Sequence, residues 1–162
     1  MKKLSVLALM MCLISVAMGQ LKATVKCDPF EVDVLNGKVN GLKADVTIHD
    51  IKDKFPCFTS SDEEGSSKCG GGVYFKDKDL FFYTNRDYVE IGPKFKGKMS
   101  IPLIGAKRNS LFKWLGNPKI KDESWDAFQT SYGTLVLHYD KTSKVSLIQF
   151  STKGTESLSL CQ

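Results

Sequence analysis

An apparent internal repeat is the feature that most constrains how this chain can fold. Asp50–Pro56 matches Ser110–Gly116 at a shift of 60 residues, because each segment has a capping residue, apolar residues one turn apart and then a stop. Further along, Leu80–Tyr83 aligns with Val136–Tyr139 at a shift of 56. The shift is therefore four residues smaller in the second match. We assign this difference to the loops between the matched segments, where insertions and deletions are tolerated. Two copies of one unit are the simplest interpretation.

Each unit, one about 28–92 and the other about 93–155, is predicted to contain a strand, a short helix and a β-hairpin. The first strand and helix are Phe30–Leu35, where apolar and polar residues alternate, and Thr47–Phe55. The same elements of the second unit are Lys98–Ile104 and Ser110–Leu115. The predicted hairpin strands are Val73–Phe75, Leu80–Thr84 and Tyr88–Ile91, then Thr134–Tyr139 and Val145–Phe150. The fold class is therefore α+β, with short helices packed on antiparallel sheet.

The first 19 residues have the layout of a secretory signal peptide. Met1-Lys2-Lys3 is a short basic start, Leu4–Met18 is an almost unbroken apolar run, and small residues precede a cleavage point near Gly19/Gln20. A run of about 15 apolar residues is short for a membrane span, which needs roughly 20. Residues 20–162 are predicted to be a single secreted or periplasmic domain without stable membrane insertion.

Removal of Cys12 with the signal leaves an even set of four cysteines, which in an exported chain indicates disulfides. Four cysteines allow three pairings. We favour Cys57–Cys69, which would close a short polar loop, and Cys27–Cys161, which would tie the two ends of the domain together. The α+β domain is thus expected to be braced by two disulfides.

Few residues are suited to catalysis or metal binding. Of the two histidines, His49 is placed to help start a helix, and His138 lies on the strand face opposite Leu135 and Leu137. Neither has a cysteine at metal-ligand spacing, and the chain has no nucleophile elbow and no phosphate-binding glycine loop. The sequence therefore predicts no enzyme, no metal and no cofactor. A hydrolase that uses two carboxylates brought together from distant segments is the alternative left open.

Three aromatic residues are candidates for partner binding because they lie in a polar connecting stretch, residues 121–133. They are Trp125, Phe128 and Tyr132. Trp and Tyr on a loop are typical anchors of protein interfaces. The alternative is a loop that folds back to close the core.

Three acidic residues form a second set of candidates for partner binding. Asp62, Glu63 and Glu64 form an acidic run in the loop before Cys69, which would offer carboxylates to a basic partner or simply be solvated. Losing Lys2 and Lys3 lowers the formal net charge from +5 to +3. Such a small charge, together with export, argues against a nucleic-acid partner.

The second unit resembles a recurring pattern of bacterial envelope proteins. A short helix ending in Leu115-Gly116 with Pro118, a long polar loop, then Tyr139-Asp140-Lys141 and Val145–Phe150 is similar to the tandem α/β repeat of the β-lactamase inhibitor protein family. Related small outer-membrane assembly lipoproteins share this layout. The resemblance implies helices packed on antiparallel sheet and a role in holding or inhibiting other proteins, as periplasmic immunity proteins do.

The sequence therefore favours an exported protein-binding module, an immunity or inhibitor protein that blocks a toxin or enzyme sterically. The alternative is a small-ligand or cell-wall-binding envelope protein without catalysis, in which the consecutive aromatics Phe81, Phe82 and Tyr83 line a cleft.

Overall fold

A computed structural model describes residues 25–161, so the predicted signal peptide, residues 1–19, lies outside the described residues. Within them are two helices, α1 (Ile48–Lys54) and α2 (Phe112–Leu115), and eleven strands. The strands are β1 (Glu31–Asp33), β2 (Lys38–Val39), β3 (Ser60–Asp62), β4 (Gly72–Phe75), β5 (Leu80–Tyr83), β6 (Tyr88–Ile91), β7 (Lys98–Met99), β8 (Ile120–Lys121), β9 (Trp125–Gln129), β10 (Thr134–Tyr139) and β11 (Val145–Ser151). The α+β class is confirmed. Among residues 25–161, neither helix has the length and apolar character needed to cross a membrane.

Eight strands form one antiparallel sheet in the order β3-β4-β5-β6-β11-β10-β9-β8. At its centre the strands β6 and β11 pair, with Ile91 opposite Ile148 and Val89 opposite Phe150. A smaller sheet has the order β2-β1-β7, in which β1 and β7 are parallel. The last strands of the two halves of the chain therefore meet in the middle of the large sheet.

The core lies against one face of the large sheet, called here the inner face. On β5 Leu80 and Phe82 point to the core, and on β10 Leu135 and Leu137 do so, as the alternation of strand side chains requires. The small sheet, α1 and the connecting segments cover that face. Their buried apolar residues include Phe30, Val32, Val34, Val39, Ile51, Phe55, Ile101 and Leu103.

The predicted repeat alignment pairs residues that lie on opposite faces of the sheet. At a shift of 56, the core residues Leu80 and Phe82 align with Val136 and His138, whose neighbours in β10 are the core-facing residues. A slip of one residue in a strand exchanges its two faces. The strand order has the form that two equivalent halves would give, and the internal repeat stays a prediction.

Helix α1 confirms the predicted span, residues 47–55, because its two ends are encoded locally. The Thr47 hydroxyl accepts from the Asp50 backbone N–H at 3.1 Å, and the Asp50 carboxylate accepts from the Thr47 N–H at 3.1 Å. The Thr47 hydroxyl also lowers the pKa of Asp50. Phe55 ends the helix and packs its ring 4.9 Å from that of Phe30.

Two predicted elements are shorter than expected. The strand predicted for residues 98–104 pairs only at Lys98–Met99, because Pro102 interrupts the segment and brings no N–H to a ladder. The helix predicted for residues 110–115 is the single turn α2, preceded by the 3₁₀ turn Arg108–Ser110. It ends as predicted at Gly116, whose φ of 70° suits glycine.

The polar stretch 121–133 is not a connecting loop as predicted, and this expectation was wrong. It contains the hairpin of β8 and β9, and β9 pairs with β10 along its full length, with Phe128 opposite Leu135. The alternation that marks β9 is masked in the sequence by Asp126, a charged residue that is only 3% exposed.

The predicted disulfide pairing was also wrong. The bonds join Cys27 to Cys57 and Cys69 to Cys161, with Cα–Cα distances of 5.5 and 5.2 Å. Strands β3 and β4 pair antiparallel, so Cys57, before β3, lies at the open end of their hairpin, while Cys69 lies at the loop end. The two are thereby held apart, although only a short polar loop separates them in sequence.

Mapping of disulfide-linked peptides tests this pairing. Trypsin separates the four cysteines, since it cleaves after Lys26, Lys54, Lys68 and Lys153. A non-reducing digest is expected to yield linked peptides 27–38 with 55–68, and 69–76 with 154–162. Recovery of 55–68 linked to 69–76 would contradict the structure.

Candidate functional site

Two of the three aromatic candidates, Phe128 and Tyr132, belong to the core. Phe128 is 4% exposed, and Tyr132 packs against the core with its ring 6.3 Å from that of Phe150. The Tyr132 hydroxyl donates to the Val34 carbonyl at 3.0 Å, and burial raises its pKa. Gly37, with φ of 61°, lets its turn approach the Tyr132 ring where a side chain would collide. These residues close the core, which was the alternative to partner binding.

Trp125, the third aromatic candidate, lies apart from the other two. It is half-buried at the start of β9, opposite His138 of β10, on the outer face of the large sheet. The structure therefore does not bring the three aromatic candidates together.

Two of the three acidic candidates have partners within the chain. The Asp62 carboxylate accepts from the backbone N–H groups of Ser66 at 3.3 Å and Ser67 at 2.9 Å, which lowers its pKa. Glu63 forms a salt bridge with Lys52 of α1, and Glu64 is exposed. Asp62 and Glu63 thus hold the β3–β4 loop in place.

Helix α2 presents two aromatic side chains to solvent. Phe112 is 63% exposed and Trp114 39% exposed, whereas Leu111 is 1% exposed and Leu115 packs against the core. Leu111 and Leu115 are four positions apart and share the side of the helix that faces the core, while Phe112 and Trp114 lie on the two flanks of that side, where both rings are exposed. The Lys113 ammonium lies 4.1 Å from the centre of the Trp114 ring. The two aromatic rings are therefore exposed on a turn that Leu111 and Leu115 anchor to the core.

An ion pair fixes the 3₁₀ turn that leads into α2. Arg108 binds both oxygens of the buried Asp126 carboxylate, with Nε to Oδ2 at 2.9 Å, and also donates to the carbonyls of Asp122 and Glu123. The Tyr139 hydroxyl donates to Asp126 at 2.7 Å, and the guanidinium lies 4.7 Å from the Tyr139 ring centre. The hydrogen bond with Asp126 raises the pKa of Arg108, so the guanidinium stays protonated. These contacts tie the approach to α2 to the β8–β9 hairpin.

A cleft of about 550 Å³ lies beside α2 and carries positive charge. Its lining includes Lys107, Lys121 and Phe112, and its one carboxylate, Asp126, is already paired with Arg108. Within residues 25–161, neither lysine takes part in a salt bridge. We call Phe112, Trp114, Lys107 and Lys121, with this cleft, the α2 surface.

The α2 surface was not predicted from the sequence. The segment 110–116 was predicted only as a short helix with apolar residues one turn apart, and no side was assigned to them. Trp114 is three positions after Leu111, so periodicity alone would place its ring on the inward side with Leu111 and Leu115, whereas the structure exposes it.

The outer face of the large sheet carries a polar network at its centre. Gln149 donates from Nε2 to Glu90 at 2.8 Å, and its Oε1 lies 2.8 Å from His138 Nε2. Because the Gln149 amide nitrogen donates to Glu90, the amide oxygen faces His138. The His138 ring therefore donates from Nε2 to that oxygen. Burial raises the pKa of Glu90, and the hydrogen bond from Gln149 offsets part of this rise.

The consecutive aromatics of β5 are divided between the two faces. Phe82 belongs to the core, while Phe81 and Tyr83 lie half-buried on the outer face beside Tyr74. Burial raises the pKa of Tyr83 to about 12. The three residues therefore do not line a single cleft together, as the small-ligand alternative expected.

Comparison with known proteins finds no matching family model, no similar curated protein and no similar solved structure. The resemblance to the β-lactamase inhibitor protein family thus rests on its residues and layout alone.

Within residues 25–161, no three His, Cys, Asp or Glu side chains are grouped so that they could hold a metal ion.

Truncation of the exposed ring is expected to leave stability unchanged. Phe112→Ala should alter the free energy of unfolding by no more than about 0.5 kcal/mol, because the ring is mostly in water. Leu111→Ala should cost about 2–5 kcal/mol, because that side chain is buried. Denaturant unfolding of the oxidised proteins measures both. Equal losses would mean that Phe112 belongs to the core.

The half-buried carboxyl of Glu90 predicts a pH dependence with a definite sign, because partial burial raises its pKa. Its pKa is higher in the folded than in the unfolded chain, so its stabilising effect is complete below the unfolded pKa of about 4.3 and is lost as pH rises through the folded value. The unfolding free energy of Glu90→Gln, relative to the parent, should therefore increase from pH 4 to pH 7.

Denaturant unfolding across this pH range measures the difference, with Glu64→Gln as the exposed control. A relative free energy for Glu90→Gln that stays flat or falls with pH would show that burial does not disfavour the Glu90 carboxylate.

Proposed function

We propose that this chain is an exported protein-binding module that docks through the α2 surface. The observation that carries this proposal is the pair of exposed rings, Phe112 and Trp114, on a turn anchored by two core leucines and by the Arg108–Asp126 pair. Solvent-exposed aromatic side chains on a fixed backbone are the residues that dominate protein–protein binding energies.

Preorganisation is what makes these rings suited to binding. A partner that receives Phe112 gains about 1.5–3 kcal/mol from full burial of a side chain of this kind. Much of such a gain is lost when a loop must first be ordered. Here the 3₁₀ turn before α2 is tied to β9 through a buried carboxylate, so little further ordering is required.

The charge of the α2 surface favours an acidic partner. Lys107 and Lys121 line the cleft beside Phe112, and Asp126 is already paired. The complementary surface would carry carboxylates around an apolar pocket that receives Phe112. Charge complementarity of this kind speeds association and weakens as salt increases.

The mechanism we propose is steric, as in immunity and inhibitor proteins. The α2 turn would enter a cleft of an acidic toxin or enzyme and occupy the space that the partner's own substrate needs. No chemistry is required of this chain in such a role, since a rigid, disulfide-braced sheet only has to hold the rings in place.

Capture from the envelope or secreted fraction of the producing cell tests the docking surface. We expect one protein to be retained by the parent chain and lost when the bait carries Phe112→Ala with Trp114→Ala. The matched control is Leu35→Ala, which removes an exposed apolar side chain from another part of the chain. With the purified partner, each aromatic substitution should weaken binding about 10- to 100-fold.

Charge reversal separates the two parts of the α2 surface. Lys107→Glu with Lys121→Glu should slow association and reduce its salt dependence, whereas Lys43→Glu, an exposed lysine on another segment, should have little effect. Failure to retain any protein, or retention that is the same for the parent and the aromatic double variant, would contradict the proposal.

An activity assay on the captured partner tests the steric mechanism separately. If the partner is a toxin or an enzyme, one equivalent of the parent chain should abolish its activity, and substrate should compete with this chain. Full activity in the saturated complex would overturn the inhibitor mechanism and leave the docking surface standing.

A further inference from the structure

The chain after β11 forms a strap across the outer face of the large sheet. This C-terminal strap, residues 152–161, begins beside β10 and reaches β8, where Glu156 pairs with Lys119 at 2.6 Å. It then returns to Cys161, whose disulfide joins it to Cys69. Arg86 donates to the Leu160 carbonyl at 3.2 Å, so the end of the strap is fixed by a hydrogen bond as well as by the disulfide.

The strap and the sheet border a half-open cavity of about 180 Å³. Strands β8, β9 and β10 supply one wall, where His138 lies opposite Trp125 and Val136 opposite Ala127. Leu158 and Leu160 of the strap supply the other wall. The cavity is therefore mostly apolar, with a tryptophan and a histidine side by side in its floor.

The size of this cavity fits a small aromatic molecule. Cavities of about 150 Å³ lined by apolar side chains take up benzene. A volume of about 180 Å³ accommodates one ring with a substituent, or a compact two-ring system, and Trp125 contributes an aromatic surface for it.

The polar network on the outer face determines what the cavity floor can recognise. His138 donates from Nε2 to Gln149, because the Gln149 amide nitrogen is committed to Glu90. The neutral ring then carries its lone pair on Nδ1, which makes no hydrogen bond within residues 25–161. Thr134 and Thr155, the other polar side chains of the lining, donate their hydroxyl protons to Lys153 and Gln129. Their oxygens can still accept, and His138 is the nitrogen acceptor that we assign to the ligand.

We propose that this cavity binds a small, neutral aromatic compound that carries one hydrogen-bond donor, of the size of phenol or indole. The ring would lie against Trp125 between Val136 and the strap leucines, and its O–H or N–H would donate to His138 Nδ1. This site is separate from the α2 surface and does not depend on the proposed function.

Titration of the oxidised chain with phenol and with toluene tests the proposal by calorimetry or ligand-detected NMR at pH 8. Toluene has the same shape but no donor, so phenol should bind about five- to tenfold more tightly, the ratio that one hydrogen bond gives. In His138→Leu this preference should disappear, and both compounds should bind equally. Phe81→Ala, on the same sheet face outside the cavity, should keep the preference of the parent chain.

Filling the cavity provides the second test. Val136→Phe should abolish phenol binding, and Leu158→Trp fills the cavity from the half-buried strap side, where the fold is least disturbed. Circular dichroism identifies a variant that fails to fold, in which case Leu158→Trp decides. The proposal is overturned if phenol does not bind, if phenol and toluene bind the parent chain equally, or if binding survives the folded cavity-filling variants.

Discussion

The pairing of β6 with β11 is the contact on which the rest of the architecture depends. It joins two four-stranded halves into one sheet and sets Ile91 against Ile148 and Val89 against Phe150 on the inner face. Since the same register puts Glu90 opposite Gln149 on the outer face, a single ladder positions both the hydrophobic core and the polar network. Apolar burial on one face supplies most of the stabilisation of such a sheet, and the other face is left for recognition.

The two surfaces with recognition potential follow from how the β8–β9 end of this sheet is completed. At the β8–β9 end, Asp126 is buried and is satisfied by Arg108 and Tyr139, which holds the connection to α2 in one position. That connection has room for only one turn of helix, so its two leucines reach the core and its two aromatic residues do not. On the outer face, the disulfide of Cys161 holds the strap over β8, β9 and β10 and creates a cavity instead of a flat surface.

Local signals in the sequence predict the parts of this fold that local interactions decide. The capping box fixes α1, and runs rich in aromatic, β-branched and other apolar residues predict β6 and β10 at the observed bounds. The disulfide pairing depends instead on which end of the β3–β4 hairpin each cysteine occupies, which is a property of long-range pairing. Strand β9 was missed because its inward charge is neutralised by a residue 18 positions away, and an ion pair of that kind has no local signature. The exposed rings of α2 were not predicted, since helix periodicity groups Trp114 with Leu111 and Leu115, and only the packing of the single turn shows that its ring stays outside.

Site-specific photocrosslinking in the producing cell tests most directly whether the α2 surface is where a partner docks. A photoactivatable phenylalanine analogue replaces Phe112 in one strain and Phe81, on the outer sheet face, in another. We expect an adduct with one protein from position 112 and none with that protein from position 81, with the crosslink on an acidic, apolar-lined surface of the partner. An adduct from position 81 alone, or no adduct from position 112, would contradict it.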